Sequence, residues 1–247
     1  MPMSCVLTPP HFAGQSPQKG GLVSRITSAL HSESLFIYDC RDCVLNLMPF
    51  LRGLKRQAVI VAAVSLWIPT VAFGVRVLWR YSNTPGHLAI PPPDLPVDWP
   101  AQPSPGRSAL FIFVHPQCPC SRASIGELAV IMTRSGEKPD TYVLFYSPAA
   151  EPASWVKTDL WRSVVAIPGV RAIEDTDGVW AQHFGAATSG QALLYDRRRH
   201  LAFNGGLTAS RGHSGDNYGR DAVNTLLQGG NPTHKMTPVF GCSLRGR

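Results

Sequence analysis

The longest apolar run in the chain, AVIVAAVSLWIPTVAFGV from Ala58 to Val75, carries no charged residue and continues past Arg76 into Val77, Leu78 and Trp79. At ~1.5 Å rise per residue, a run of this length covers most of a ~30 Å hydrocarbon layer. It predicts a membrane-spanning helix over residues 58–80, in which Pro69 is better tolerated than in the interior of a soluble helix. Trp79 and Tyr81 suit an interfacial aromatic belt, and Arg76 can snorkel to the same surface. A buried core helix is the competing reading, but such helices seldom run so far without a charge.

Beyond residue 107 the pattern changes period. LFIFV, Leu110 to Val114, is a short continuous apolar run of the kind a buried parallel strand presents. Ile125, Leu128, Ile131 and Met132 then recur at helical spacing, predicting a helix through Arg134. TYVLFY reads as a second strand, followed by a helix bearing Trp155, Leu160, Trp161 and Val164. VRAIED is a short strand, GVWAQHFG a short helix, and QALLYD and HLAFNG are two strands joined at the Asp196–Arg199 turn. A last helix begins near Asn217, a suitable N-cap, with Ala222, Val223, Leu226 and Leu227 inward. This alternation, closing in a hairpin and a helix, predicts an α/β sheet with an antiparallel edge.

The expected organisation has four parts. Residues 1–57 form a cytoplasmic segment that lacks fixed structure or includes a start assigned too early, since MPFLRGLKRQ at Met48 is a short basic leader in its own right. Residues 58–80 are the anchor. Residues 81–107 are a linker whose eight prolines favour an extended, semi-rigid spacer. The folded domain occupies residues 108–247.

Charge sets the orientation. Arg41, Arg52, Lys55 and Arg56 precede the apolar run, against Arg76 and Arg80 after it, so the N-terminus is expected in the cytoplasm. No small-x-small cleavage site follows, which predicts an uncleaved single-pass anchor in the inner membrane with a periplasmic C-terminal domain. The net charge of +7 invites a nucleic-acid partner, but residues 81–247 hold fifteen Lys or Arg against thirteen Asp or Glu. Arg197, Arg198 and Arg199 then read as a solvated turn, and no nucleic-acid partner is expected.

Two cysteines stand where chemistry is expected. HPQCPCSRAS places Cys118 and Cys120 at the end of the first domain strand and the start of its helix. A cysteine at a helix N-terminus meets unpaired backbone N–H groups and the positive end of the macrodipole, which favours thiolate. Cys118 is therefore the expected attacking thiol. His115, three residues upstream, is a candidate for added charge or proton transfer. Topology brings two further stretches to the same sheet edge: the turn Ala187–Gly190 and the loop Gly205–Gly219, which carries Arg211, His213 and Asp216. Backbone turns and helix capping are an equal reading of that loop's glycines, Asp216 and Asn217. Cys242, in the apolar setting PVFGCSL, is a resolving thiol, a partner-linked thiol or a buried inert residue. DCRDC, Asp39 to Cys43, has no strand-to-helix junction around it and is read as unused. Ser210, His213, Ser214 and Asp216 crowd one loop without the supported nucleophile that a hydrolase needs.

The order of elements, with a cysteine just after the first strand, resembles the thioredoxin fold. DTDGVWAQHFGAATSGQALLYDRRRHLAFNGG looks like the membrane-tethered thiol-disulfide and peroxiredoxin-like branches. HPQCPCSRAS, TASRGHSGDNYG and PVFGCSL are similar to the RedB-like group of tethered bacterial thioredoxin-like proteins. The resemblance implies a thiol-disulfide oxidoreductase, without cofactor, that acts on protein thiols or disulfides through Cys118 as attacker and Cys120 as resolver. It also keeps two alternatives open: a copper or other metal carrier using Cys118, Cys120, His115 and His213, since related tethered proteins carry copper, and a non-catalytic scaffold. Two departures from the family pattern matter. One residue separates the cysteines where thioredoxins have two, so a disulfide between them would be strained and easily reduced. Thr188, Ser189 and Gly190 occupy the turn where the family places a cis-proline.

Overall fold

The computed structural model describes the backbone of residues 40–245; the expectations for residues 1–39 lie outside the described residues. Helix α1, Cys40–Asn83, starts upstream of the apolar run, because Leu, Met, Arg, Lys and Gln before it are good helix formers. Its Lys55–Asn83 portion is long and apolar enough to cross a membrane, with none of its apolar stretch buried, and is a candidate transmembrane span. The Thr70 hydroxyl donates to Leu66 O at 2.8 Å, so this polar group is satisfied within the helix, as a lipid environment requires. The chain divides into a unit ending at Ser65 and one that begins at Leu66.

The domain is built on a five-stranded sheet: β1 (Ala109–Val114), β2 (Asp140–Ser147), β3 (Val170–Thr176), β4 (Gln191–Tyr195) and β5 (Leu201–Gly206), in the order β3-β2-β1-β4-β5. β1 pairs in parallel with β2, β2 in parallel with β3, and β4 runs antiparallel to both β1 and β5. β5 therefore runs parallel to β1, as the hairpin requires. Helices α2 (Ser121–Arg134), α3 (Asp159–Val165), α4 (Val179–His183) and α5 (Tyr218–Leu227) complete a thioredoxin-like fold.

Every residue of β1 is buried, which is why it reads as an unbroken apolar run. Leu110, Ile112 and Val114 face a largely aliphatic layer with Leu128, Ile131, Leu160, Val164 and Val223 from α2, α3 and α5. Phe111 and Phe113 face the opposite layer, which is aromatic: Trp99, Tyr142, Phe184 and Tyr195. Asn217 caps α5 by accepting from Arg220 N–H at 2.8 Å, as its position in sequence implies.

Packing extends upstream of Ser108 into the stretch expected to be a spacer. Trp99 is 1% exposed and meets Phe111, Tyr142, Trp180 and Phe184 edge-on at 4.9–5.7 Å. Leu201 N–H donates to Pro93 O at 2.8 Å, Leu95 N–H to Arg199 O at 2.9 Å, and Tyr195 OH to Pro92 O at 3.1 Å. The prolines keep this segment extended and Leu95 and Trp99 anchor it, so it behaves as a strap across the aromatic face. At the other end of the chain, Asn204 N–H donates to Lys235 O at 3.1 Å and Thr237 N–H to Asn204 O at 3.3 Å. The C-terminal segment thus lines the open edge of β5, where unpaired strand groups would otherwise face water.

Candidate active site

The end of β1 is followed by a series of tight turns. Cys118 N–H donates to His115 O at 3.0 Å, Ser121 N–H to Cys118 O at 3.2 Å, and Ala123 N–H to Cys120 O at 3.2 Å. These bonds wind the Pro116–Cys120 stretch into the N-terminus of α2, with Cys120 at the N-cap and Cys118 one turn ahead of the helix. Both thiols are largely buried, Cys118 at 4% exposure and Cys120 at 7%. A cleft of about 270 Å³ reaches Cys118 between Pro116, Gln117 and Pro119 on one side and Thr158 and Leu160 on the other. Arg122 and Asp159 pair at 2.6 Å across it.

The partner that meets Cys118 comes from the far end of the sequence. The Sγ atoms of Cys118 and Cys242 lie 3.3 Å apart, across 124 positions of chain. The segment bearing Cys242 is fixed from both sides: Ser189 N–H donates to Cys242 O at 2.8 Å, Leu244 N–H to Ala187 O at 3.0 Å, and Gly86 N–H to Val239 O at 2.8 Å. Thr188 and Ser243 form an antiparallel bridge. Gly241 is required for this approach, because a Cβ there would stand 1.8 Å from Ser189 O. The turn Thr188–Gly190 is thus lined by the protein's own C-terminal segment.

These surroundings split the acidity of the thiols. Burial alone would push Cys118 up, but Cys242 N–H, the Ser121 hydroxyl, the Cys242 thiol and Ser121 N–H all donate toward its sulfur and bring it down to about 7. Burial pushes Cys242 up to about 11, reinforced by its bond to Cys118 and by the charges of Cys118 and Cys120, with Arg211 opposing. Cys120 is also raised, first by burial and then by the charge of Cys118, against the pull of Arg211. Cys118 is therefore the thiol most easily ionised of the three, through donors from Cys242 and Ser121.

Two serines that sequence reasoning gave no role arrange the donors. His115 N–H donates to Ser189 Oγ at 2.7 Å, and Ser189 Oγ lies 2.6 Å from Ser121 Oγ. With Ser189 Oγ accepting from the backbone, its own hydrogen is free for Ser121, whose hydrogen is then free for Cys118. Ser121 is legible in hindsight from its place directly after Cys-Pro-Cys, whereas Ser189 has no signal beyond the turn it occupies.

The other candidates fall into place unevenly. The His115 ring stacks near Tyr146 at 5.8 Å and meets Trp155 edge-on at 5.4 Å, and burial lowers its pKa. It is not among the groups that set the acidity of Cys118. Thr188 donates to His87 O at 2.7 Å, directing its hydroxyl to the strap rather than to the thiols. Arg211 reaches the site: it donates to Gly241 O beside Cys242, to Tyr81 O at 3.0 Å and to Thr84 O at 3.2 Å, and its charge lowers the pKa of Cys120. His213, two residues on, is exposed. Asp216 pairs with Arg220 at 2.8 Å, and the buried Glu127 holds Arg220 Nη1 at 2.8 Å and Gly215 N–H at 2.7 Å, which ties the loop to α2. Among the described residues, no group of three or more His, Cys, Asp or Glu side chains is arranged to hold a metal ion. The donor set for a copper carrier, with His115 and His213 joining Cys118 and Cys120, does not assemble here.

No protein-family model matches the chain, and no curated protein matches it. Among solved structures, it is similar to an uncharacterized conserved protein from Geobacillus kaustophilus, with a TM-score of 0.49 and 17% identity over 67% of this chain and 93% of that one. A hypothetical protein from Sinorhizobium meliloti gives a TM-score of 0.42 and 22% identity over 58% and 81% of the two chains. A secreted disulfide oxidoreductase from Mycobacterium tuberculosis gives 0.34 and 14% identity over 50% and 82%.

Proposed function

We propose that this protein is a membrane-anchored thiol-disulfide oxidoreductase that works on the extracytoplasmic side through Cys118 of the Cys-Pro-Cys motif. The observation that carries the reading is the environment of Cys118: a nearly buried thiol just ahead of α2, 3.3 Å from the Cys242 sulfur, whose acidity Cys242 and Ser121 bring down to about 7. A thiolate is the species that attacks disulfides, and a thiol titrating near ambient pH combines a useful thiolate fraction with retained nucleophilicity. The cleft beside Pro116 and Thr158 gives a partner sulfur its approach.

The exchange moves an electron pair between sulfurs and uses no cofactor. Cys118 thiolate attacks one sulfur of a partner disulfide, the partner's other sulfur leaves as thiolate, and a second thiol of the site releases the first sulfur from the mixed disulfide. Oxidation of partner thiols is the same sequence in reverse. The partners in this reading are protein thiols or disulfides, and the Lys55–Asn83 span holds the domain at the inner membrane with its site in the periplasm.

The test uses the full chain in detergent micelles and its Cys118→Ser variant. Exchange with a peptide disulfide should fall by ~10³-fold or more in the variant, with the thermal midpoint kept. Turnover at the wild-type rate without Cys118 would end this reading.

A further inference from the structure

We propose that Cys242, delivered by the C-terminal segment from Met236 to Leu244, is the thiol that resolves mixed disulfides on Cys118, so that the oxidised protein carries a Cys118–Cys242 disulfide. This rests on the exchange chemistry proposed above and replaces the expected resolver, Cys120.

Position is the first reason. At 3.3 Å, the two sulfurs are at the separation of a near-attack pair, ~3–3.5 Å. Cys242 is not left there by a loose tail: Ser189 N–H, Leu244 N–H and Gly86 N–H fix the backbone around it, and Arg211 clasps the carbonyl of Gly241. Cys120 starts from a poorer place. It occupies the N-cap of α2, two positions from Cys118. Its thiol interacts with Cys118 but is shared with Arg211, whereas the Cys118 sulfur lies 3.3 Å from that of Cys242.

Access is the second reason. Cys118 is buried but lines the cleft between Pro116 and Leu160, whereas Cys242, the more exposed residue, is not among those lining it. A partner entering by this cleft approaches Cys118 without displacing the C-terminal segment.

Timing is the third. While Cys118 is ionised, its charge and its hydrogen bond keep Cys242 protonated, so the two thiols do not compete as nucleophiles. Once Cys118 is bonded to a partner sulfur its charge is gone and that part of the restraint is lifted; burial, the larger cause, remains, with Arg211 opposing it. Cys242 then gives up its proton to solvent, and its thiolate attacks Cys118 Sγ. The Cys118–partner bond breaks, the Cys118–Cys242 bond forms, and the partner sulfur leaves as thiolate. Over the two steps the partner disulfide gains two electrons and becomes two thiols, while Cys118 and Cys242 lose two and become a disulfide.

The experiment uses the full chain in detergent micelles, reduced and then mixed with oxidised glutathione under anaerobic conditions with a chelator, quenched in acid and mapped by mass spectrometry. The wild type should yield a Cys118–Cys242 linked peptide, with no glutathione left on Cys118. Cys120→Ser should do the same. Cys242→Ser should accumulate the Cys118–glutathione adduct, with release of that glutathione slowed at least about tenfold. A Cys118–Cys120 link in the wild type, with glutathione released from Cys118 in Cys242→Ser at the wild-type rate, would overturn the assignment of Cys242 alone. Absence of any adduct or link at Cys118 in all three proteins would overturn both this assignment and the exchange reading beneath it.

Discussion

Cys118 and Cys242 share one contact, yet opposite kinds of structure hold them there. Around Cys118 the backbone bonds are local: His115, Cys118, Ser121 and Ala123 close turns of three residues. Around Cys242 they are long-range, joining it to Ser189 and its neighbours to Ala187 and Gly86. The two thiols also part in acidity, one brought down to about 7 and the other pushed up to about 11. The difference teaches that the Cys-Pro-Cys motif does not by itself set its own chemistry. The backbone N–H of Cys242 stands first among the effects that lower Cys118, followed by the Ser121 hydroxyl and then the Cys242 thiol.

The comparison is broken most severely at Gly241. Gly241→Ala drives a Cβ against the Ser189 carbonyl, a backbone atom that cannot swing aside. The C-terminal segment should lift from the Thr188–Gly190 turn at a cost of ~1–3 kcal/mol, seen as a lower thermal midpoint. The titration midpoint of Cys118, followed by its alkylation rate against pH, should then move from near 7 toward the ordinary thiol value of about 8.5. An unchanged midpoint would assign the acidity to the local turn alone.

A gentler change removes one donor at a time. Cys242→Ala deletes the thiol but keeps the N–H, so the Cys118 midpoint should rise by less than in Gly241→Ala. Ser121→Ala removes the hydroxyl donor from the other side and should raise it in the same direction. Ser189→Ala, which acts only through Ser121, should have a smaller effect than either. Equal shifts in Ser121→Ala and Ser189→Ala would mean that the second serine governs the first.

The wild-type pH profile sharpens the contrast without any substitution. Alkylation of Cys118 should rise through pH about 7, while Cys242 stays protected until pH about 11. The stability of the reduced protein should follow with opposite signs. The lowered Cys118 stabilises the fold above its unfolded value, and that contribution fades as pH falls through about 7. The raised Cys242 stabilises the fold below its unfolded value, and that contribution is lost as pH climbs through about 11. The smallest effect is expected from Arg211→Gln. Cys120 loses the charge that opposes its upward shift, and its alkylation at mildly alkaline pH should slow by a factor of about two to five.

Much of the architecture was legible beforehand. β1 declares itself by a continuous apolar run because both its faces are covered, α2 by a single apolar face, and α5 by the cap at Asn217. The site was legible in part: Cys118 could be placed before a helix from its neighbours, and the hairpin's topology brought Arg211 to the same edge. Other expectations depended on surroundings that no window of sequence contains. His115 turns toward Tyr146 and Trp155, Thr188 toward His87, and the proline-rich stretch becomes a strap through Trp99.

The chain's periodicity and local chemistry determined by themselves which segments are strands and helices, where the apolar span lies, and that the Cys-Pro-Cys stretch precedes a helix. Those features are decided over a few residues, where hydrophobic spacing, capping and charge already differ between alternatives. The tertiary structure alone decided which thiol meets Cys118. Cys120 is two residues away and Cys242 is 124, yet the sulfur in contact is the distant one, because long-range hydrogen bonds and the missing side chain of Gly241 bring that backbone in.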